Sequence, residues 1–152
     1  MGFPHATSCI AVAIAACSPI PSHVMEGHAD GRIAVEFPGA LRDHMLRNMR
    51  DHLDTLQRIE DALARGSYDE AARLSETRLG LTSLSLHGAH DVAPYMPEGM
   101  QAIGTEMHKA ASRFSIEASS AGATGDPRPA LRALALVMGQ CVACHAAYRL
   151  KP

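Results

Sequence analysis

The chain has 152 residues, 47% hydrophobic and 20% charged, with a formal net charge of -2. That length and apolar content suit one modest domain with a real core. Acidic and basic residues are interspersed, so the sequence lacks the basic footprint of a nucleic-acid binder, and nucleic acid is excluded as a partner.

The opening stretch, MGFPHATSCIAVAIAACSPIPSH, has no Lys, Arg, Asp or Glu and holds a short apolar run around Ile10 to Ala16, too short to span a bilayer. Residues 1–17 therefore read as an export signal. Ile14-Ala15-Ala16-Cys17 resembles a bacterial lipoprotein cleavage box, which would put lipid on Cys17 and tie the protein to a membrane. Plain signal cleavage near Ala15 is the alternative. Either reading places the protein in the periplasm or otherwise outside the cytoplasm. Residues 18–36 are rich in Pro, Gly and His without a sustained apolar period and read as a tether, with the folded domain expected over 37–152.

From Phe37 onward the dominant pattern is helical. Pro38 suits a first turn, and Leu41, Met45, Met49, His52, Leu56, Ile59 and Leu63 follow at steps of four and three. Gly66 ends this first helix. Ser67 and Glu70 have the Ser-x-x-Glu spacing of a capping box, predicting a second helix through about Leu86. LHGAHDVAPYMPEGM is the longest break, after which Met100, Ile103, Met107, Ala110 and Phe114 mark a third helix. SSAGATGDPRPA is the last turn. Asp126 can cap a fourth helix there, with Pro127 at its first position and Leu131, Leu134, Met138, Cys141, His145 and Tyr148 along its inner stripe. No comparable strand alternation is present. The expected fold is all-α, an antiparallel up-down-up-down four-helix bundle.

Near the chain end stands CVACHAAYRL. In Cys-x-x-Cys-His on a helix, the cysteines lie one turn apart and can bond to the two vinyl groups of a haem, while the next residue offers an imidazole to the iron. Cys141, Cys144 and His145 thus predict one covalent haem c, enclosed by the bundle because Cys141 and His145 share the inner stripe. Zinc wants four ligands, and the chain has no second Cys pair of regular spacing. A thioredoxin-type pair sits at a helix N-terminus after a strand, not deep in a C-terminal helix. A disulfide across i, i+3 of a helix is geometrically awkward.

A helical bundle ending in CVACHAAYR resembles cytochrome c′ and the other class II c-type cytochromes, whose motif reads Cys-x-x-Cys-His-x-x-aromatic-Arg. The resemblance covers the chain from about Phe37 as architecture, and Cys141, Cys144, His145, Tyr148 and Arg149 as motif. It implies thioethers on Cys141 and Cys144, His145 as the proximal iron ligand, and Tyr148 and Arg149 supporting the exposed haem edge. Relatives often pair through their first two helices, so a homodimer follows from the resemblance alone.

The sixth iron position decides between two functions. Some relatives leave it open beneath an apolar side chain and bind NO or CO. Others supply a methionine from the first helix and carry electrons between redox partner proteins. Here Met45 and Met49 both fall on the inner stripe of that helix, and a thioether favours reduced iron. The expected function is one-electron transfer with Met49 or Met45 distal, Met49 preferred by its depth; five-coordinate gas binding is the alternative. The spacing from Arg42 departs from the family, since the fourth residue after it is Leu46. His44, His52, His87 and His90 are further imidazoles able to bind iron, with surface or loop positions the preferred reading; His52, on the inner stripe one turn beyond Met49, is the exception, an iron ligand or a buried residue of the distal pocket. His87, His90, Tyr95, Met96 and Met100 also form a set of the kind copper takes, but without a recognised spacing, and a packed lid is the preferred reading of that loop. No paired acid and base or nucleophile set stands out, so no enzymatic role is expected.

Overall fold

The computed structural model describes residues 30–152, and residues 31–152 form one compact unit. The expected export signal, the expected lipid site Cys17 and most of the expected tether lie outside the described residues. Helix α1 runs Gly39–Ala64, directly after Pro38, whose carbonyl accepts the Arg42 N–H at 2.8 Å. It ends as a Schellman turn. Gly66 takes a φ of 71°, and the N–H groups of Gly66 and Ser67 return to the carbonyls of Leu63 and Ala62.

Helix α2 spans Tyr68–Arg78 and is shorter than the expected run to Leu86. The chain leaves the helix at Leu79 and turns extended at Gly80, a close approach only glycine fits, since a Cβ there would stand 2.8 Å from the Glu76 carbonyl oxygen. Beyond it the chain is held by Glu76, whose carboxylate accepts the Thr82 N–H at 3.2 Å and whose carbonyl accepts the Thr82 hydroxyl at 2.7 Å. The expected capping box does not form. Ser67 makes no side-chain cap, and Glu70 pairs with Arg65 instead.

A 3-10 turn at Leu81–Ser83 takes the place of the expected end of the second helix, and the short helix α3 (Ala89–Val92) and a second 3-10 turn at Ala93–Tyr95 fill the segment read as a break. Helix α4 then runs Glu98–Thr124 to a left-handed Gly125. Helix α5 covers Arg128–Ala147, and the Asp126 carboxylate accepts the Arg128 N–H at 3.1 Å, the capping role its sequence position suggests.

Two strands correct the expectation of none. β1 (Ile33–Val35) pairs in parallel with β2 (Tyr148–Leu150), and the Lys151 N–H continues the ladder to the Val35 carbonyl at 2.9 Å. The folded unit therefore starts before Phe37. Val35 and Phe37 are buried, so the end of the supposed tether belongs to the core.

The architecture is all-α apart from this pair. α4 packs against α2 and α5, and α2 against α1, whereas α1 and α5 share no comparable packed face. One apolar cluster joins α1, α2, α4 and α5 around Ile59, Leu74, Phe114 and Val137. A second joins Val35, Phe37, Met45, Val92 and Met100, with Met49, Met96, Cys144 and Tyr148 packed against it. The expected stripes turn slightly from their places. On α1 the most buried line is Met45, Asn48, Thr55, Ile59 and Ala62, leaving Met49, His52 and Leu56 half-buried beside it. On α5 the buried face is Ala130, Ala133, Leu134 and Val137, while Leu131 and Met138, expected inside, are exposed.

Candidate haem-binding groove

The unpacked faces of α1 and α5 border a groove of about 530 Å³, within the range of about 300 to 1,000 Å³ typical of cofactor sites. α1 contributes Met45, Asn48, Met49, His52 and Leu56. The segment between α2 and α4 adds His87, Val92 and Met96, α4 adds Met100, Met107 and His108, and α5 closes the other wall with Cys141, Cys144 and His145. Five thioethers thus line one mostly apolar space, and the half-buried side of α1 is the side that faces it.

Cys141 and Cys144 are free thiols one helical turn apart, both half-buried. Cys141 packs against the first apolar cluster and Cys144 against the second, so the pair spans the junction of the two cores. Burial pushes both thiols above the ordinary range, and at Cys144 the neighbouring Cys141 adds to it. His145 is exposed along the groove wall, and the Arg32 guanidinium donates to its carbonyl at 3.3 Å.

This donor set fits a haem c. Two thiols one turn apart, an adjacent imidazole and an apolar groove of the right size occur together, and no disulfide consumes the thiols. Of the residues expected on iron or ring, Cys141, Cys144, His145, Met45 and Met49 all line the groove. Met45 is buried and Met49 half-buried, both in the cluster that receives Cys144. Tyr148 and Arg149 do not line it. They leave the helix for β2, where Tyr148 packs into the second cluster with its hydroxyl near Gly99.

The histidines divide differently from the sequence reading. His90 faces solvent beside Asp91, and Tyr95 packs its ring on Phe37, so the set His87, His90, Tyr95, Met96 and Met100 does not gather at one point. His44 donates from Nε2 to the His87 carbonyl at 2.9 Å, a carbonyl that also accepts from the Asn48 amide at 3.0 Å. His52, read as an iron ligand or a pocket residue, lines the groove. Its Nε2 lies 3.3 Å from Nε2 of His87, which is buried at 5% exposure. Burial and the neighbouring imidazoles hold His52 down to about 3, and burial with His108 holds His87 down to about 4.

His108 was not anticipated. It is buried on α4, with its ring centroid 5.5 Å from that of His87 and 6.4 Å from that of His52. The available signal was its place between Met107 and Ala111 on a wide buried arc. Neither protein-family models, nor curated proteins, nor solved structures give this chain a match.

Proposed function

We propose that this chain is a class II-like c-type cytochrome that carries single electrons. The observation that carries the reading is the position of Cys141, Cys144 and His145 along one wall of an apolar groove between helices that do not pack on each other. In this reading the long helices form an antiparallel four-helix bundle around one haem c. Cys141 and Cys144 hold the ring as thioethers, and His145 binds the iron from the proximal side. A haem held there supplies a one-electron ferric/ferrous couple.

The remaining residues position and tune. Met49 or Met45 provides the sixth ligand, a thioether that favours the reduced state. The apolar lining excludes water and lowers the local dielectric, which strengthens every interaction within the groove. Tyr148 and Arg149, carried on β2 outside the groove lining, anchor the chain just beyond His145, and a redox partner protein docks over the exposed ring edge. Export through residues 1–17, lipid on Cys17 and pairing of two copies complete the proposal.

Two measurements test it. Acid-acetone extraction of the denatured protein leaves the pigment on the polypeptide if the thioethers are present; release of the haem refutes the covalent reading. A low-spin reduced spectrum indifferent to carbon monoxide supports the electron carrier. Rapid carbon monoxide binding supports the five-coordinate gas-binding protein instead.

A further inference from the structure

His52, His87 and His108 come from three separate elements: α1, the segment after α2, and α4. Their hydrogen bonds determine which nitrogen carries each proton. The Leu79 carbonyl, 2.7 Å from His108 Nδ1, can only accept, so His108 is protonated at Nδ1 and its lone pair is on Nε2. Ser83 Oγ donates its single proton to the Gly80 carbonyl at 2.7 Å, so toward His87 Nδ1, 3.4 Å away, it acts as acceptor. His87 is thus also protonated at Nδ1, with its lone pair on Nε2. Its own carbonyl is pinned by His44 and Asn48.

Imidazoles anchored through Nδ1–H to a protein oxygen, with Nε2 left as the lone-pair nitrogen, are the arrangement that metal-binding histidines adopt. The spacing agrees. Two nitrogens each about 2.0 to 2.1 Å from a tetrahedral ion stand about 3.3 Å apart, and His52 Nε2 and His87 Nε2 are 3.3 Å apart. A purely structural core gains little from three clustered imidazoles, since each must be desolvated where an aliphatic side chain would pack at no polar cost.

We propose that His52, His87 and His108 bind one divalent ion of the zinc and copper(II) class, in the same groove as the haem motif but independently of it. Among the described residues no three donors yet converge on one point. In the metal-free arrangement His52 Nε2–H donates to His87 Nε2, closing the pair on itself. Taking up the ion moves that proton to His52 Nδ1 and draws the His108 ring inward.

The test is calorimetric titration of the chelator-treated holoprotein with zinc sulfate and, separately, copper sulfate. One ion per chain is expected, with nitrogen hyperfine structure in the copper electron paramagnetic resonance spectrum. His87→Gln and His108→Gln each weaken binding by roughly tenfold or more, and Ser83→Ala, which removes an anchor but no ligand, weakens it by about 10- to 100-fold. His90→Gln, exposed beside Asp91, leaves it unchanged. Equal affinity in wild type, His87→Gln, His108→Gln and Ser83→Ala overturns the site, as does absence of binding in the wild type. A haem spectrum that changes in His87→Gln or His108→Gln, without ion binding in the wild type, makes these residues iron ligands and overturns the proposal while leaving the haem reading intact. Repeating the titration in a Cys141→Ala, Cys144→Ala background separates the two readings from the other side, because the histidine site survives loss of the haem.

Discussion

Tyr148 and Gly99 are fitted to each other: the phenol oxygen lies 2.5 Å from where a Cβ on Gly99 would stand. A strand residue just beyond the Cys-x-x-Cys-His segment is thereby registered against the first turn of α4. Gly99→Ala gains up to about 1 kcal/mol of helix propensity but must displace the ring. The expected outcome is a net loss of stability that Tyr148→Phe, lacking the hydroxyl, largely removes in the double variant. Chemical unfolding of the four proteins of this cycle checks it.

Met49→Ala and Met45→Ala separate ligand from filler. Removing the ligating residue abolishes the weak far-red charge-transfer band of a His/Met haem, lowers the potential and admits carbon monoxide. Removing the other leaves the spectrum intact and costs only packing, about 2 to 5 kcal/mol for a buried methionine. Optical spectra and a redox titration of both variants decide, and two unchanged spectra exclude a methionine ligand.

Acid destabilises this fold through its imidazoles. His52 and His87 titrate at about 3 and about 4 in the folded state, against about 6.5 when unfolded. The unfolded chain therefore binds more protons. Their contribution to stability is complete above about pH 6.5 and is lost progressively as pH falls toward about 3. Denaturant midpoints measured with chelator present should drop over that interval, and His52→Leu should flatten the drop. A midpoint indifferent to pH there contradicts the burial of these rings.

Phe114 tests the core apart from the groove. It is fully buried in the first cluster and does not line the site, so Phe114→Ala should cost about 3 to 5 kcal/mol. The haem spectrum of the folded variant should not change. A spectral shift would show that the two regions are coupled.

Much of this was legible before any coordinates. The helices of α1, α4 and α5 follow from long apolar periods and from Gly66, Asp126 and Pro38; the proposed haem site rests on five residues of one segment. What was not legible has local causes. Ile33–Val35 and Tyr148–Leu150 are three residues each, too short for an alternation, and each is a strand only because the other lies beside it. Leu79 and Gly80 end α2 through a close approach to Glu76 that no periodicity encodes. Leu131 and Met138 continue an apolar spacing on α5 but are exposed, with no helix among the described residues packed over them. His108 becomes meaningful only when the segment from Leu79 to His87 folds back over α4.

The parallel pairing of β1 with β2 has a mechanical consequence. A pull on residue 31 against residue 152 loads two strands that run in the same direction, so the ladder from Ile33 to Lys151 must slip as a whole. The Lys151–Glu36 ion pair and the Arg42 bond to the Lys151 carbonyl resist along the same line. A domain held at one end and tugged at the other would thus yield first by sliding this short clasp, with the Cys141 to His145 turn immediately behind it.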